Sequence, residues 1–88
     1  MIKKTYLLNL SDIRDLQQFV EAIDTRVVAD VDAMVGRYVV DARSVMGMIS
    51  ICKNNITVGI HSCSQPDLEI FEGICKKYKV KEGAGKND

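Results

Sequence analysis

Residues 40–50 read VDARSVMGMIS, and this stretch contains the end of one predicted element and the start of the next. The residues that lead into it, RYVV at 37–40, are mostly β-branched or aromatic and favour a strand. Ser44 stands before an almost wholly apolar segment, as the N-cap residue of a helix does. The stretch therefore predicts a strand that ends near residue 40 and a short helix over residues 45–51 that lies on the core.

The part of the chain before this stretch begins with a predicted strand and a predicted helix. Residues 3–10 alternate between apolar and polar side chains at first, as a half-buried strand does. Ser11 is predicted to cap a helix that ends near Asp24. Apolar residues at helical spacing are predicted to form its buried stripe: Ile13, Leu16, Phe19, Val20 and Ile23.

Two further strands and a last helix complete the predicted order. Residues 26–32 alternate again and are predicted to form a hairpin with residues 37–40, with Gly36 in the turn. Residues 56–60 alternate in the same way and predict a fourth strand. A capping-box pattern over residues 64–67 predicts the start of the last helix. Its buried stripe is predicted to contain Leu68, Phe71, Ile74, Cys75 and Tyr78.

The predicted order of elements is β-α-β-β-α-β-α, which indicates the α+β class. A sheet must bury its apolar side, so we expect an open-faced β-sandwich in which three helices cover one face of a four-stranded antiparallel sheet. A chain of 88 residues fits one hydrophobic core. We expect a single domain over residues 1–82 and a flexible tail over residues 83–88.

Composition excludes several classes of function. Twelve basic and twelve acidic side chains cancel, which predicts no nucleic-acid partner. No apolar run approaches the length of a membrane span, and residues 1–4 lack a signal peptide's apolar region, so a cytoplasmic protein without a membrane partner is expected. The spacing of Cys52, Cys63 and Cys75 fits neither a disulfide framework nor a zinc site. We expect reduced, mostly buried thiols and no metal or other cofactor.

The order of elements and residues 40–50 together resemble HPr, the histidine phosphocarrier family of the bacterial sugar phosphotransferase system. Around its regulatory serine that family carries a basic residue, the serine, two apolar residues and often a glycine, and residues 43–47 here read RSVMG. The resemblance implies that Ser44 is a regulatory phosphosite beside Arg43, where a phosphate would meet favourable charge. The alternative is that Ser44 serves only as an N-cap.

The chain departs from that family where the phosphoryl-accepting histidine should be. The family carries a Gly-aliphatic-His-Ala/Thr-Arg-Pro signature at the start of its first helix, and here residues 12–15 read DIRD. Only Arg14 matches, while Asp12 falls near the histidine position and Asp15 near the proline. Two carboxylates would repel an incoming phosphate, so we expect a degenerate phosphocarrier site. An aspartyl phosphate on Asp12 is the alternative.

His61 is the one histidine of the chain. The alternation of the fourth strand puts it on the outer face of the sheet, near the end of that strand. We expect a structural surface residue there rather than a relocated phosphate acceptor.

An HPr-like order of elements without the phosphoryl-accepting histidine predicts a non-catalytic protein-binding or regulatory module related to the phosphotransferase system, and not an enzyme. In the family the short helix and the start of the first helix form the surface that partners bind. The resemblance implies a corresponding surface made of Arg14, Arg43, Met46, Gly47 and Met48. The alternative is that both methionines only fill the core.

The expected partners are proteins, namely phosphotransferase-system proteins or an HPr kinase, and the expected state is a monomer or weak dimer. Two other functions stay open on the sequence. One is a phosphocarrier of the same system that uses an unusual acceptor. The other is a module that dimerises through a sheet edge or through the methionine-rich helix, with no link to sugar transport.

Overall fold

A computed structural model of the chain describes residues 2–80. Its elements follow the predicted order, as β1 (Lys4–Leu8), α1 (Ile13–Arg26), β2 (Val31–Val35), β3 (Tyr38–Asp41), α2 (Val45–Ile51), β4 (Ile56–Ile60) and α3 (Gln65–Cys75). The predicted α+β class and element order are confirmed. The last two residues of the expected domain, 81–82, and the expected tail, 83–88, lie outside the described residues.

The four strands form one sheet in the order β1-β4-β2-β3, and every neighbouring pair is antiparallel. Alternate side chains point to one face, which we call the inner face and which carries the buried residues Leu8, Val31, Ala33, Ile56, Val58 and Ile60. All three helices add side chains to the same core, chiefly Leu16, Phe19, Ile23, Met48, Ile51, Phe71 and Ile74. Within residues 2–80 no helix covers the outer face, so the sheet is open on that side.

The start of α1 differs from the prediction by one residue. Asp12, not Ser11, is the N-cap, and its side chain accepts a hydrogen bond from the backbone N–H of Arg14. Ser11 belongs to the preceding turn, because its N–H and its hydroxyl both donate to the side-chain oxygen of Asn9. Ile13 is exposed in the first turn, whereas the other four residues of the predicted stripe are buried.

The predicted second strand, residues 26–32, was wrong at both ends, because β2 spans Val31–Val35. α1 continues to Arg26, and Val27 is buried as its C-cap, with its N–H donating to Ile23. The apolar alternation from Val27 therefore reflects packing at a helix end, and β2 begins only at Val31. The hairpin turn is confirmed, since Gly36 has a φ of 58°, which suits the first position of a two-residue turn.

The start of α3 also uses a different side chain from the one predicted. Ser64 is the N-cap residue, but its side chain makes no capping hydrogen bond. The Ser62 side chain makes the hydrogen bonds at this helix start instead. Its hydroxyl accepts from the N–H of Ser64 at 3.0 Å and donates to the Asp67 carboxylate at 3.5 Å. The predicted helix start is right and the predicted capping box is not formed.

The residues that follow α3 return to the sheet. We call Tyr78–Val80 the closing segment, because it lies along the outer edge of β1. The N–H of Asn9 donates to the Tyr78 carbonyl at 3.0 Å, and the N–H of Val80 donates to the Leu7 carbonyl at 2.9 Å. The C-terminal end of the β1 edge is thereby hydrogen-bonded to the chain's own backbone.

The three thiols are unpaired and lie in different environments. Cys75 is buried, Cys52 is half-buried and Cys63 is exposed, so the expectation of mostly buried thiols is wrong for Cys63.

In the part of the chain that the structure describes, no helix is long and apolar enough to cross a bilayer. The same residues contain no cluster of three acidic, histidine or cysteine side chains that could hold a metal ion.

Candidate functional site

The start of α1 presents Asp12, Arg14 and Asp15 around its first turn. The Asp12 carboxylate accepts the backbone N–H of Arg14 at 2.8 Å and lies 4.0 Å from the guanidinium Nε of the same residue. The Arg14 side chain is 85% exposed, so this ion pair is strongly screened by solvent. Asp15 is half-buried and faces Tyr78: burial raises the pKa of Tyr78, and the Asp15 charge raises it further.

His61 lies far from this first turn. β1 and β4 are antiparallel, with Leu8 opposite Ile56 and Lys4 opposite Ile60. His61 follows Ile60 and so stands at the end of the sheet where β1 begins, whereas α1 starts after β1 ends. A five-residue strand separates the two ends by about 17 Å. His61 therefore lies near the end of β4 and away from the α1 start, where the alternation of the sequence puts it.

At its own end of the sheet, His61 connects β4 with β2. Its Nε2 lies 2.8 Å from the Asp32 carboxylate, and its backbone N–H donates to the Asp30 carbonyl at 2.9 Å. Both side chains of the pair are about one-third exposed, which fits a half-buried bond between strands rather than a fully exposed surface histidine.

Arg43 braces the end of α1. One guanidinium nitrogen donates to the carbonyls of Val27 and Ala29, at 2.5 and 3.0 Å, and Nε lies 3.7 Å from the Asp24 carboxylate. Cations at a helix C-terminus interact favourably with the helix dipole, so this position stabilises α1. The side chain is only 22% exposed. Arg43 was predicted in a partner-binding surface and beside a phosphate, whereas in the structure its donors are directed to the α1 end.

The two arginines of the predicted surface therefore lie apart. Arg14 stands in the first turn of α1 and the Arg43 guanidinium at its last residues. A helix of 14 residues is about 21 Å long. The structure does not bring them together into one basic patch.

Ser44 is the N-cap of α2, as predicted. Its hydroxyl accepts the N–H of Gly47 at 3.1 Å, and its own N–H donates to the Asp41 carbonyl at 2.9 Å. Gly47 has a packing role as well, since a Cβ there would lie 3.1 Å from the Cβ of Val40 on β3. The short distance means that glycine lets α2 lie close against the sheet.

The exposed face of α2 shares only Met46 with the predicted one. Met48 is fully buried and fills the core, so it is not part of any surface, because its side of the helix also carries Ile51. Met46 is 80% exposed, and Val45 and Ile49 are exposed beside it. We call Val45, Met46 and Ile49 the α2 apolar surface. The signal in the sequence was helical spacing, which separates positions 48 and 51 from positions 45, 46 and 49.

Around the predicted contact surface, two features are exposed: the α2 apolar surface and the guanidinium of Arg14. α1 and α2 pack directly against each other, so these features belong to neighbouring elements. Compared with protein-family models, with curated proteins and with solved structures, the chain matches none of them.

Proposed function

We propose that the chain is a non-catalytic, HPr-like protein-binding or regulatory module related to the sugar phosphotransferase system. The observed order of elements is the one that the resemblance requires, and residues 43–47 lead into a short N-capped helix, as its motif requires. The observation that carries the non-catalytic part is at the α1 start. Asp12 caps the helix there, while the one imidazole of the chain is bonded to Asp32 at the other end of the sheet.

The chemistry of the α1 start supports binding without transfer. A phosphoryl carrier needs a neutral imidazole nitrogen as nucleophile and hydrogen-bond donors for the arriving phosphate. Here the Arg14 N–H, a natural donor for such a phosphate, already donates to the Asp12 carboxylate. Asp15 adds a second negative charge in the same turn, and like charges a few ångström apart repel.

The proposed contact surface is the α2 apolar surface together with Arg14. Exposed clusters of apolar side chains are typical of protein-binding sites, and methionine adapts its shape to different partners. Residues 45–51 contain no charged side chain. We therefore expect the partner, an enzyme or kinase of the phosphotransferase system, to present an apolar patch with an acidic group placed for Arg14.

Binding is tested by titrating phosphotransferase-system proteins, first enzyme I and an HPr kinase, against the chain in a calorimeter. Met46→Asp should weaken the complex by about tenfold or more, because it puts a charge in the centre of an apolar contact. Gly73→Asp is the matched control, since it adds the same charge at an open position of α3. Absence of binding to every such protein, or equal loss in both variants, would contradict the proposal.

Catalysis is tested separately with enzyme I and phosphoenolpyruvate, using an intact HPr as the positive control. We expect the control alone to gain acid-labile phosphate. Phosphate on Asp12 or on His61 would instead favour the phosphocarrier that uses an unusual acceptor.

Phosphorylation of Ser44 remains a prediction within the proposed function. The residue is exposed and stands at the start of α2, where a phosphate would meet the positive end of the helix dipole. Arg43 would have to leave the α1 end in order to reach it. Incubation with an HPr kinase should add the mass of one phosphate to the wild type and none to Ser44→Ala. An unchanged wild-type mass would leave Ser44 with its capping role alone.

A further inference from the structure

The β3 strand has an outer edge with exposed backbone. Hydrogen-bonded and non-hydrogen-bonded pairs alternate in an antiparallel ladder. The N–H of Ala42 donates to the carbonyl of Val31, so these two residues form a hydrogen-bonded pair. Counting back along β3, Val40 and Tyr38 also bond to β2, whereas Val39 between them turns its N–H and C=O away from the sheet. Within residues 2–80 no group bonds to that outward N–H or C=O.

This edge also lacks the usual protection against pairing. Natural edge strands carry central charges, prolines or bulges, and β3 has none of these between its two ends. Tyr38 is 72% exposed and Val39 is 58% exposed, although both are residues that pack well in sheets. The opposite edge, on β1, is bonded to the closing segment.

We propose that β3 pairs antiparallel with β3 of a second copy of this chain, around a two-fold axis at Val39. The two four-stranded sheets then form one sheet of eight strands. The inference does not depend on the proposed function, because it concerns a different edge of the molecule.

Charge complementarity selects this register. The outward residues of β3 are Val39 and Asp41, and outward residues must face one another for hydrogen bonds to form. Arg37 lies in the hairpin turn directly before β3, two positions from Val39. An axis at Val39 brings Arg37, in the turn, beside Asp41 of the second copy, and two-fold symmetry repeats this pair. An axis at Arg37 or at Asp41 would place like charges opposite each other, which is destabilising. A shift of the axis by one residue gives up both opposite-charge pairs.

The same register brings the exposed apolar side chains together. On the outer face, Leu7, Thr57, Met34 and Val39 form one cross-strand row. Pairing at Val39 joins this row to the same row of the second copy. On the inner face Tyr38 lies opposite Val40 of the second copy, an aromatic and β-branched pair of the kind that stabilises sheets. The contact is short, so we expect a weak dimer that depends on concentration.

Sedimentation equilibrium over a series of concentrations tests the dimer. The wild type should pass from monomer to dimer, and Val39→Lys should shift its dissociation constant upward by about tenfold or more, since it places two ammonium groups at the axis. Val28→Lys is the matched control, because Val28 is an exposed valine outside the sheet. A wild type that stays monomeric throughout, or a dimer that both variants leave unchanged, would overturn the inference.

A charge-swap pair tests the register. In Arg37→Asp and in Asp41→Arg, each self-pairing would place like charges opposite each other, so each variant alone should associate at least about tenfold more weakly. Mixed together, they should form a heterodimer, because the edge of the first variant is then acidic at both positions and faces an edge that is basic at both. Circular dichroism checks that both variants are folded. If Asp41→Arg fails to fold, slower amide exchange at Val39 in concentrated than in dilute wild type supplies the decision: equal rates would overturn the inference.

Discussion

The two ends of α1 carry different kinds of interaction. At its start, Asp12 and Arg14 make a backbone cap and a 4.0 Å ion pair between exposed side chains. At its end, Arg43 donates to two carbonyls from a half-buried position, and His61 bonds to Asp32 beside it. The positions that the resemblance marks as a phosphocarrier site are thus weakly held. At the other end, side-chain hydrogen bonds connect the helix, the hairpin and the sheet. Arg43 is the one residue of that end that belongs to a sequence motif.

The contrast is tested most strongly by Arg43→Ala. We expect the free energy of unfolding to fall by about 2–4 kcal/mol, because the variant leaves two partly buried carbonyls without their charged donor. Arg14→Ala should change it by less than about 0.5 kcal/mol, as an exposed ion pair contributes little. Urea unfolding of both variants makes the measurement. Equal losses at the two ends would remove the distinction.

Alkaline pH should act through the end of the molecule where α1 starts. Cys75 lies there next to the closing segment, and burial raises the pKa of its thiol to about 12. In the unfolded chain the thiol ionises near pH 8.5, so between about pH 8.5 and 12 the unfolded state binds fewer protons than the folded state. The free energy of unfolding therefore falls as pH rises, by about 2 kcal/mol at pH 10 relative to pH 7.

The control for that prediction is Cys75→Ala. It should be less stable at neutral pH, because it leaves a cavity, but its stability should depend less on pH. The pKa values of Tyr6 and Tyr78 are also raised, chiefly by burial, so both act in the same direction at still higher pH. A wild-type stability that stays constant up to about pH 10 would contradict the assignment of a buried, protonated thiol.

The cap at the α1 start should have a smaller effect. Asp12→Ala is expected to lower the free energy of unfolding by about 1 kcal/mol, as loss of a helix N-cap does. Ser11→Ala removes only a bond within an exposed turn and should cost a few tenths of a kcal/mol. Thermal unfolding of the two variants decides between them as the cap. The reverse order would restore Ser11, the residue that the sequence favoured.

The smallest expected effect concerns Tyr78. Asp15→Asn should lower the pKa of Tyr78 toward its ordinary value, since the Asp15 charge is one of the two causes that raise it. Burial, the larger cause, stays in place, so the pKa should remain raised. Ultraviolet titration of the tyrosines, with Tyr78→Phe to identify the signal, measures the change. An unaltered titration curve would mean that Asp15 does not act on the phenol.

Hydrophobic periodicity was enough to predict the order of elements and most of the core. It failed where one apolar residue could serve two structures. Val27 fits the alternation of a strand and also the buried end of a helix, and only the packed chain decides between them. The prediction of the α1 N-cap failed for a similar reason. Ser11 and Asp12 are both good N-cap residues, and in the structure Ser11 is hydrogen-bonded to the Asn9 side chain instead.

The candidate site could be predicted only in part. Met46 and Arg14 lie on the surface, as the sequence indicated. Met48 is buried, because the seven-residue helix α2 lies on the core and must turn one of its sides inward. The hydrogen bonds of Arg43 reach Val27 and Ala29, which precede it by 16 and 14 positions in the chain. No local pattern contains such a contact, since it depends on how α1 and the start of α2 pack.

The closing segment limits how far this sheet can grow. The proposed pairing through β3 would use the unprotected edge of each copy. The opposite edge, on β1, is bonded in part to Tyr78–Val80 and carries Lys4 at its other end. Lysine at a border discourages further strands. Assembly would therefore stop at two subunits and could not propagate into a fibril, and detaching three residues near the C-terminus would remove that stop.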